Sequence, residues 1–158
     1  MQPSKQAYDI IKEFEYDGPI PPLKAYWDKY GAVWTIGWGH TRTAKRDMVI
    51  TLTDAERLLI EDVRNAVQSV NNFVKTQLTQ SMFDALVSFT FNVGSGALQT
   101  STLLKLLNSG DIKGAAAELL RWTFAGKQRL NGLVRRRLAE QNLFLKGFKN
   151  YEQGGSKL

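Results

Sequence analysis

Five carboxylates fall within the first 28 residues: Asp9, Glu13, Glu15, Asp17 and Asp28. Two carboxyl groups flanking one bond can divide the work of hydrolysis. One donates a proton to the leaving oxygen, and the other activates water or steadies a cationic sugar, as glycosidic bonds require. Position ranks the five. Glu15 ends a segment whose Ala7, Ile10, Ile11 and Phe14 share a helical face, and it directly follows the apolar Phe14. A carboxyl held against apolar surface has its charged form disfavoured, which suits a proton donor. Asp28 stands at the end of a predicted strand, and Thr35, on the following strand, has a hydroxyl able to hold a water.

Other chemistries are narrowed by composition. The chain has 158 residues, no cysteine and one histidine, His40. Thiolate chemistry and disulfides are excluded, and so is a site of several histidines. No carboxylates are spaced like a calcium loop, so no metal or cofactor is expected. The net charge of +6 favours polyanions in general. The basic residues are scattered and no nucleic-acid reading motif is present, so nucleic acid is not expected as a partner. No run of about 20 apolar residues occurs, and Met1–Tyr8 lacks the apolar core of a signal peptide.

The elements that must position these residues follow from periodicity. A helix is predicted over Pro3–Glu15, ended by Gly18, Pro19, Pro21 and Pro22. Strands are predicted over Lys24–Asp28 and Ala32–Gly37, with a turn at Lys29–Gly31 and a third short strand near Asp47–Ile50. From Thr53, whose Thr53-Asp-Ala-Glu56 reads as a capping box, the chain is helical. Helices are expected from Thr53 to about Phe73, from Thr79 or Ser81 to the Gly94-Ser-Gly96 stop, over Ser101–Leu107, over Ile112–Leu120 with Asp111 as cap, and over Asn131–Phe144. The class is α+β: a small antiparallel sheet lobe (about 16–50) joined by the long helix to a mainly helical lobe (about 53–148, with the first helix). Together these make one domain over 1–150, and 151–158 form a flexible tail. A cleft between two lobes is the usual place for a site.

Three ordered blocks resemble one family. The first runs Ile11-Lys-Glu-Phe-Glu15, Leu23-Lys-Ala-Tyr-Trp-Asp28, then Trp34-Thr-Ile-Gly-Trp-Gly-His-Thr41. The second is Phe83-Asp-Ala-Leu-Val-Ser-Phe-Thr-Phe-Asn-Val-Gly-Ser-Gly96 with Ser101-Thr-Leu-Leu104. The third is Arg121-Trp122 with Asn131-Gly-Leu-Val-Arg-Arg-Arg-Leu-Ala-Glu140. Together they resemble the phage-type lysozymes, endolysins of glycoside hydrolase family 24, over residues 10 to about 145.

The resemblance implies a lysozyme-like fold and a muramidase that cleaves the β-1,4 linkage of bacterial peptidoglycan with inversion, leading to host lysis. Glu15 would be the acid, Asp28 the second carboxylate and Thr35 a water-placing residue. Thr41, Phe91 and Asn92 would line the glycan cleft. The family pattern usually has glycine directly after its acid, whereas here Tyr16, Asp17 and a proline-rich insertion intervene, so Asp17, directly before Gly18, is the alternative acid. Asp62 matches the residue expected to pair with His40, and one of Arg135, Arg136 and Arg137 would orient the acid. On general grounds such an arginine run is a solvated face, and Trp122 is expected to pack. The implied partner is peptidoglycan, bound by a monomer. With Lys127, Arg129 and Lys146, the last helix could also touch an anionic outer or inner membrane surface. The enzyme is expected to wait in the host cytoplasm for a separate pore-forming protein. A lytic transglycosylase, needing one acid only, and a non-catalytic membrane-active protein are the competing readings.

Overall fold

Helix starts in this chain are set by short polar side chains. The structure, a computed structural model, describes residues 1–155. Ser4 opens α1 (Lys5–Glu15): its carbonyl accepts the Ala7 N–H at 3.1 Å and its hydroxyl the Gln6 N–H at 3.2 Å. Pro3 and Ser4 therefore lie outside the helix expected to begin with them. Thr79 caps α3 (Gln80–Val93), Ser101 caps α5 (Thr102–Asn108) and Asp111 caps α6 (Ile112–Leu119), each side chain accepting a first-turn N–H.

The capping box of α2 (Leu52–Phe73) is displaced from its predicted place. Thr51 and Asp54 form it: the Thr51 N–H donates to Asp54 Oδ2, and the Asp54 N–H donates to Thr51 Oγ1, both at 3.1 Å. Thr53 sits inside the first turn. Thr51-Leu-Thr-Asp54 satisfies the same three-residue spacing as Thr53–Glu56, with Asp replacing the longer acid. Accepting the Thr51 N–H, and next the hydrogen bond with the Thr51 side chain, holds the Asp54 carboxyl below its ordinary value. A depressed carboxyl stabilises the fold fully above its unfolded value and loses that contribution as pH falls through the folded one. Asp54→Ala, which removes the carboxyl itself, is therefore expected to lower the melting temperature near pH 6. The deficit should shrink near pH 3, as measured by calorimetry at both pH values.

The chain divides into two compact units, and the division falls inside α1 and α2 rather than at their ends. One unit comprises Ile11–Arg64, and the other Met1–Ile10 with the chain from Asn65 onward. The first of these units thus takes the second half of α1 and the first half of α2.

In the Ile11–Arg64 unit, β1 (Tyr26–Asp28) pairs antiparallel with β2 (Val33–Thr35) in the register Tyr26↔Thr35, Trp27↔Trp34, Asp28↔Val33. Both strands are shorter than predicted. The expected third strand is a single bridge, Lys24↔Val49, flanked by Ala25 N–H to Met48 O and Ile50 N–H to Leu23 O. Asp47, with φ +63, turns the backbone out of the extended region just before it. Ile11, Ile36, Leu59 and Val63 are fully or nearly fully buried in the core.

In the other unit, α3 is the central element. Nine consecutive residues, Met82–Thr90, are buried, a helix enclosed all round. It packs against α7 (Asn131–Gly155), which also packs on α6. Three features here differ from expectation. Gly94 does not lead into a loop: α4 (Ser95–Thr100) follows directly. A hairpin of β3 (Phe124–Ala125) and β4 (Gln128–Arg129) precedes α7. Its two-residue loop has Gly126 at φ +62 followed by Lys127, the arrangement of a type II′ turn, which asks for glycine first. Last, α7 continues past Phe144 through Gly155, so 151–155 are helical rather than a flexible tail. The remainder of that predicted tail, 156–158, lies outside the described residues.

Candidate active site

The β1–β2 register decides which side chains meet. Opposite residues on paired strands point to one face, so Tyr26, Asp28, Val33 and Thr35 share a face, and Trp27 with Trp34 share the other. The two tryptophans pack edge to face at 5.5 Å. Asp28 and Thr35 are diagonal neighbours across the hairpin. Asp28 Oδ1 accepts the Tyr30 N–H at 3.0 Å, which fixes the carboxylate over its own turn. Its Oδ2 lies against Gly31, where an added Cβ would approach to 2.9 Å. Thr35 is buried, and its hydroxyl makes only a long contact, 3.4 Å, to Val33 O.

The Trp34–His40 motif closes on itself. Ile36 and His40 exchange both backbone hydrogen bonds at 2.9 Å around Gly37-Trp38-Gly39. Both glycines have positive φ, +62 and +79, which a side chain would strain. Gly39 carries a second constraint: a Cβ there would lie 2.8 Å from Glu15 Oε2. The glycine thus lets the end of α1 bring its carboxylate against the turn. Lys12, one turn earlier, pairs with Glu56 at 2.6 Å and sits 4.4 Å from the Trp38 ring centre, fixing α1 on that turn. Asp17 is exposed in the loop that follows.

Tyr26 was not singled out by the sequence. Its phenol is held above its ordinary value by burial first, then by the charges of Asp28 and Glu15 and by Tyr16. One ring therefore feels both carboxylates, and its hydroxyl stays a proton-bearing donor beside them. The signal was present as Tyr26-x-Asp28, a same-face pair once the strand is recognised.

His40 is buried and its two nitrogens have distinct partners. The Thr43 N–H can only donate, and it points to Nε2 at 3.2 Å, so Nε2 accepts and also takes the Thr43 hydroxyl at 2.7 Å. Nδ1 then carries the proton and donates to Asp62 Oδ2 at 2.8 Å. The expected His40–Asp62 contact is present, and it assigns His40 a structural part. Thr41 is exposed, and its carbonyl accepts the Ala44 N–H.

Phe91 and Asn92 belong to the other unit, at the C-terminal end of α3. Phe91 is half-buried. Asn92 is exposed, with its side-chain oxygen accepting from Arg137 Nη2. The arginine run is not a solvated face: only Arg135 is exposed. Arg136 and Arg137 are 3% and 1% exposed and both bond Glu140, itself fully buried, which also accepts the Ser88 hydroxyl at 2.8 Å. Burial works against the charge of Arg137, and Glu140 opposes that effect. Trp122 packs as expected, edge to face with Phe89 at 5.5 Å. Lys127 and Arg129 lie in the hairpin, not on the last helix.

The model of the family described as phage lysozyme matches residues 21–140. The chain belongs to the phage lysozyme family. It is similar to the endolysin of Acyrthosiphon pisum secondary endosymbiont phage 1, 46% identical over 91% of this chain and 98% of the relative. It is also similar to the endolysin of Bacillus phage B103, 44% identical over 99% of this chain. There the match spans only 59% of the relative's length. Among solved structures it resembles the muramidase domain of SpmX from Asticaccaulis excentricus, with TM-score 0.82 and 39% identity over 91% of this chain and 97% of that one. Among the described residues, no helix is long and apolar enough to cross a membrane, and no cluster of acids and histidine could hold a metal.

Proposed function

We propose that the chain is an endolysin-type muramidase that hydrolyses the β-1,4 linkage between N-acetylmuramic acid and N-acetylglucosamine in peptidoglycan. The observation that carries this reading is the gathering of Glu15, Tyr26, Asp28 and Thr35 within the Ile11–Arg64 unit, by the β1–β2 register and the Gly39 turn. Glu15 donates the proton to the leaving oxygen. Asp28 activates water and faces the positive charge that develops on the sugar, while the Thr35 hydroxyl places that water. Thr41, Phe91 and Asn92 are the further residues assigned to glycan binding. No cofactor takes part, and the chain works as a monomer.

Asp28 is the sharpest internal test, because its carboxylate is fixed by Tyr30 N–H rather than by any core contact. Asp28→Asn keeps that hydrogen bond and removes the base. Turbidity loss of purified peptidoglycan should slow about a hundredfold, within the usual reach of one acid–base group. Thermal stability should stay near that of the parent. Undiminished turnover would remove Asp28 from the reaction.

A further inference from the structure

The loop after Thr41 concentrates positive charge on a rigid support. Arg42, Lys45 and Arg46 fall within five residues, and with Thr43, Asp47 and Met48 they line a shallow concavity of about 630 Å³. The loop is pinned at its root, middle and exit. Thr43 is held by the buried His40 ring, Met48 N–H bonds Lys45 O at 3.1 Å, and Met48 O accepts from Ala25 N–H at 2.8 Å.

The cations are poorly matched from within. Glu61 is already bonded by Arg57 at 2.9 Å, so Arg42 approaches it only to 3.8 Å. Arg46 reaches its neighbour Asp47 only at 3.9 Å, with both side chains about four-fifths exposed. Among the described residues, Lys45 has no ion-pair partner. A pinned loop with three like charges and two loose contacts leaves guanidinium and ammonium donors for an external anion.

We propose that this loop is a subsite for the free carboxylates of the peptides attached to the glycan strand. The inference rests on the muramidase reading, which supplies an acidic polymer as substrate. Two observations favour that ligand. The loop continues directly from Thr41, which the muramidase reading assigns to glycan binding. Of the residues lining the concavity, all but the half-buried Met48 are polar or charged, which suits an ionic ligand. Opposite charge that does not touch the reacting atoms acts on capture and KM rather than on kcat.

The test compares the full chain with its Arg42→Gln/Lys45→Gln/Arg46→Gln variant on two substrates: native peptidoglycan, and the same material with its free carboxyls converted to amides. On native substrate the variant should show a KM about tenfold higher, with kcat retained and an unchanged melting temperature. Amidation should raise the parent's KM to the same degree and leave the variant unaffected. Sedimentation binding to the insoluble substrate should follow the same pattern. An equal KM on native substrate, or an equal loss on both substrates, would overturn the proposal. So would a variant that loses only its binding to phosphatidylglycerol vesicles, which would point to a membrane instead. Charge-dependent sedimentation without any hydrolysis would leave this subsite standing and sink the muramidase reading.

Discussion

Glu15→Gln is expected to lower kcat on peptidoglycan about a thousandfold while the protein melts at nearly the parent's temperature. An amide has the shape of the carboxyl but no proton to give, and proton donation to a poor leaving group is worth roughly 10²–10⁴ in rate. The side chain ends α1 and rests on Gly39, where its Oε2 occupies the space a Cβ would need. Glutamine fits that space, so the change should act on chemistry and leave the fold intact. A second readout separates this from a packing defect. Tyr26 lies in the field of Glu15 and Asp28, so removing one charge should move its phenol titration back towards the ordinary value. Retained activity in the Gln variant would shift the role of acid elsewhere, with exposed Asp17 next in sequence. Activity lost together with the melting transition would assign Glu15 to structure.

The second large effect belongs to Glu140. Glu140→Ala should cost about 3–5 kcal/mol of folding stability, the usual result of removing one side of a buried ion pair. Glu140 is fully buried and receives Arg136 at its Oε1 at 3.1 Å, Arg137 at its Oε2, and the Ser88 hydroxyl. Its loss would leave two guanidiniums side by side in the interior without that carboxylate. Domains of this size are stable by only about 5–15 kcal/mol, so the variant should sit near the edge of folding. Ser88→Ala removes one neutral donor to a charged acceptor and should cost less, about 1.5–3 kcal/mol. Urea denaturation of both variants checks the order. Equal costs would mean that the hydroxyl, not the ion pair, organises this cluster.

How far the sequence could be read follows from the range of each signal. Helices α3, α5 and α6 were legible because each begins at a short polar side chain before an apolar run, a signal contained within four residues. The start of α2 was misplaced because Thr51 and Thr53 both satisfy the capping-box spacing, and only the observed reciprocal bonds separate them. The β3–β4 hairpin was missed because two-residue strands show no alternation, leaving Gly126-Lys127 as the only cue. Helix α4 was hidden behind two glycines.

Site residues divide along the same line. Glu15, Asp28 and Thr35 were nominated from the sequence because they stand at element ends or beside a dense glycine-aromatic motif. Tyr26 was not, because its relation to Thr35 exists only in the strand register. Arg136 and Arg137 read as solvated for a similar reason. Nothing local to the run shows that Ser88, Asn92 and the Trp122 carbonyl, 15 to 48 residues away, will enclose it.

The measurement closest to the central claim is product analysis of purified peptidoglycan digested in ¹⁸O-labelled water by the parent and by Glu15→Gln. Mass spectrometry of the parent's fragments should show reducing muramic acid ends that carry the label, with no such fragments from the variant. Unlabelled 1,6-anhydro ends from the parent, or labelled ends from the variant at the parent's rate, would contradict a hydrolase that uses Glu15 as its acid.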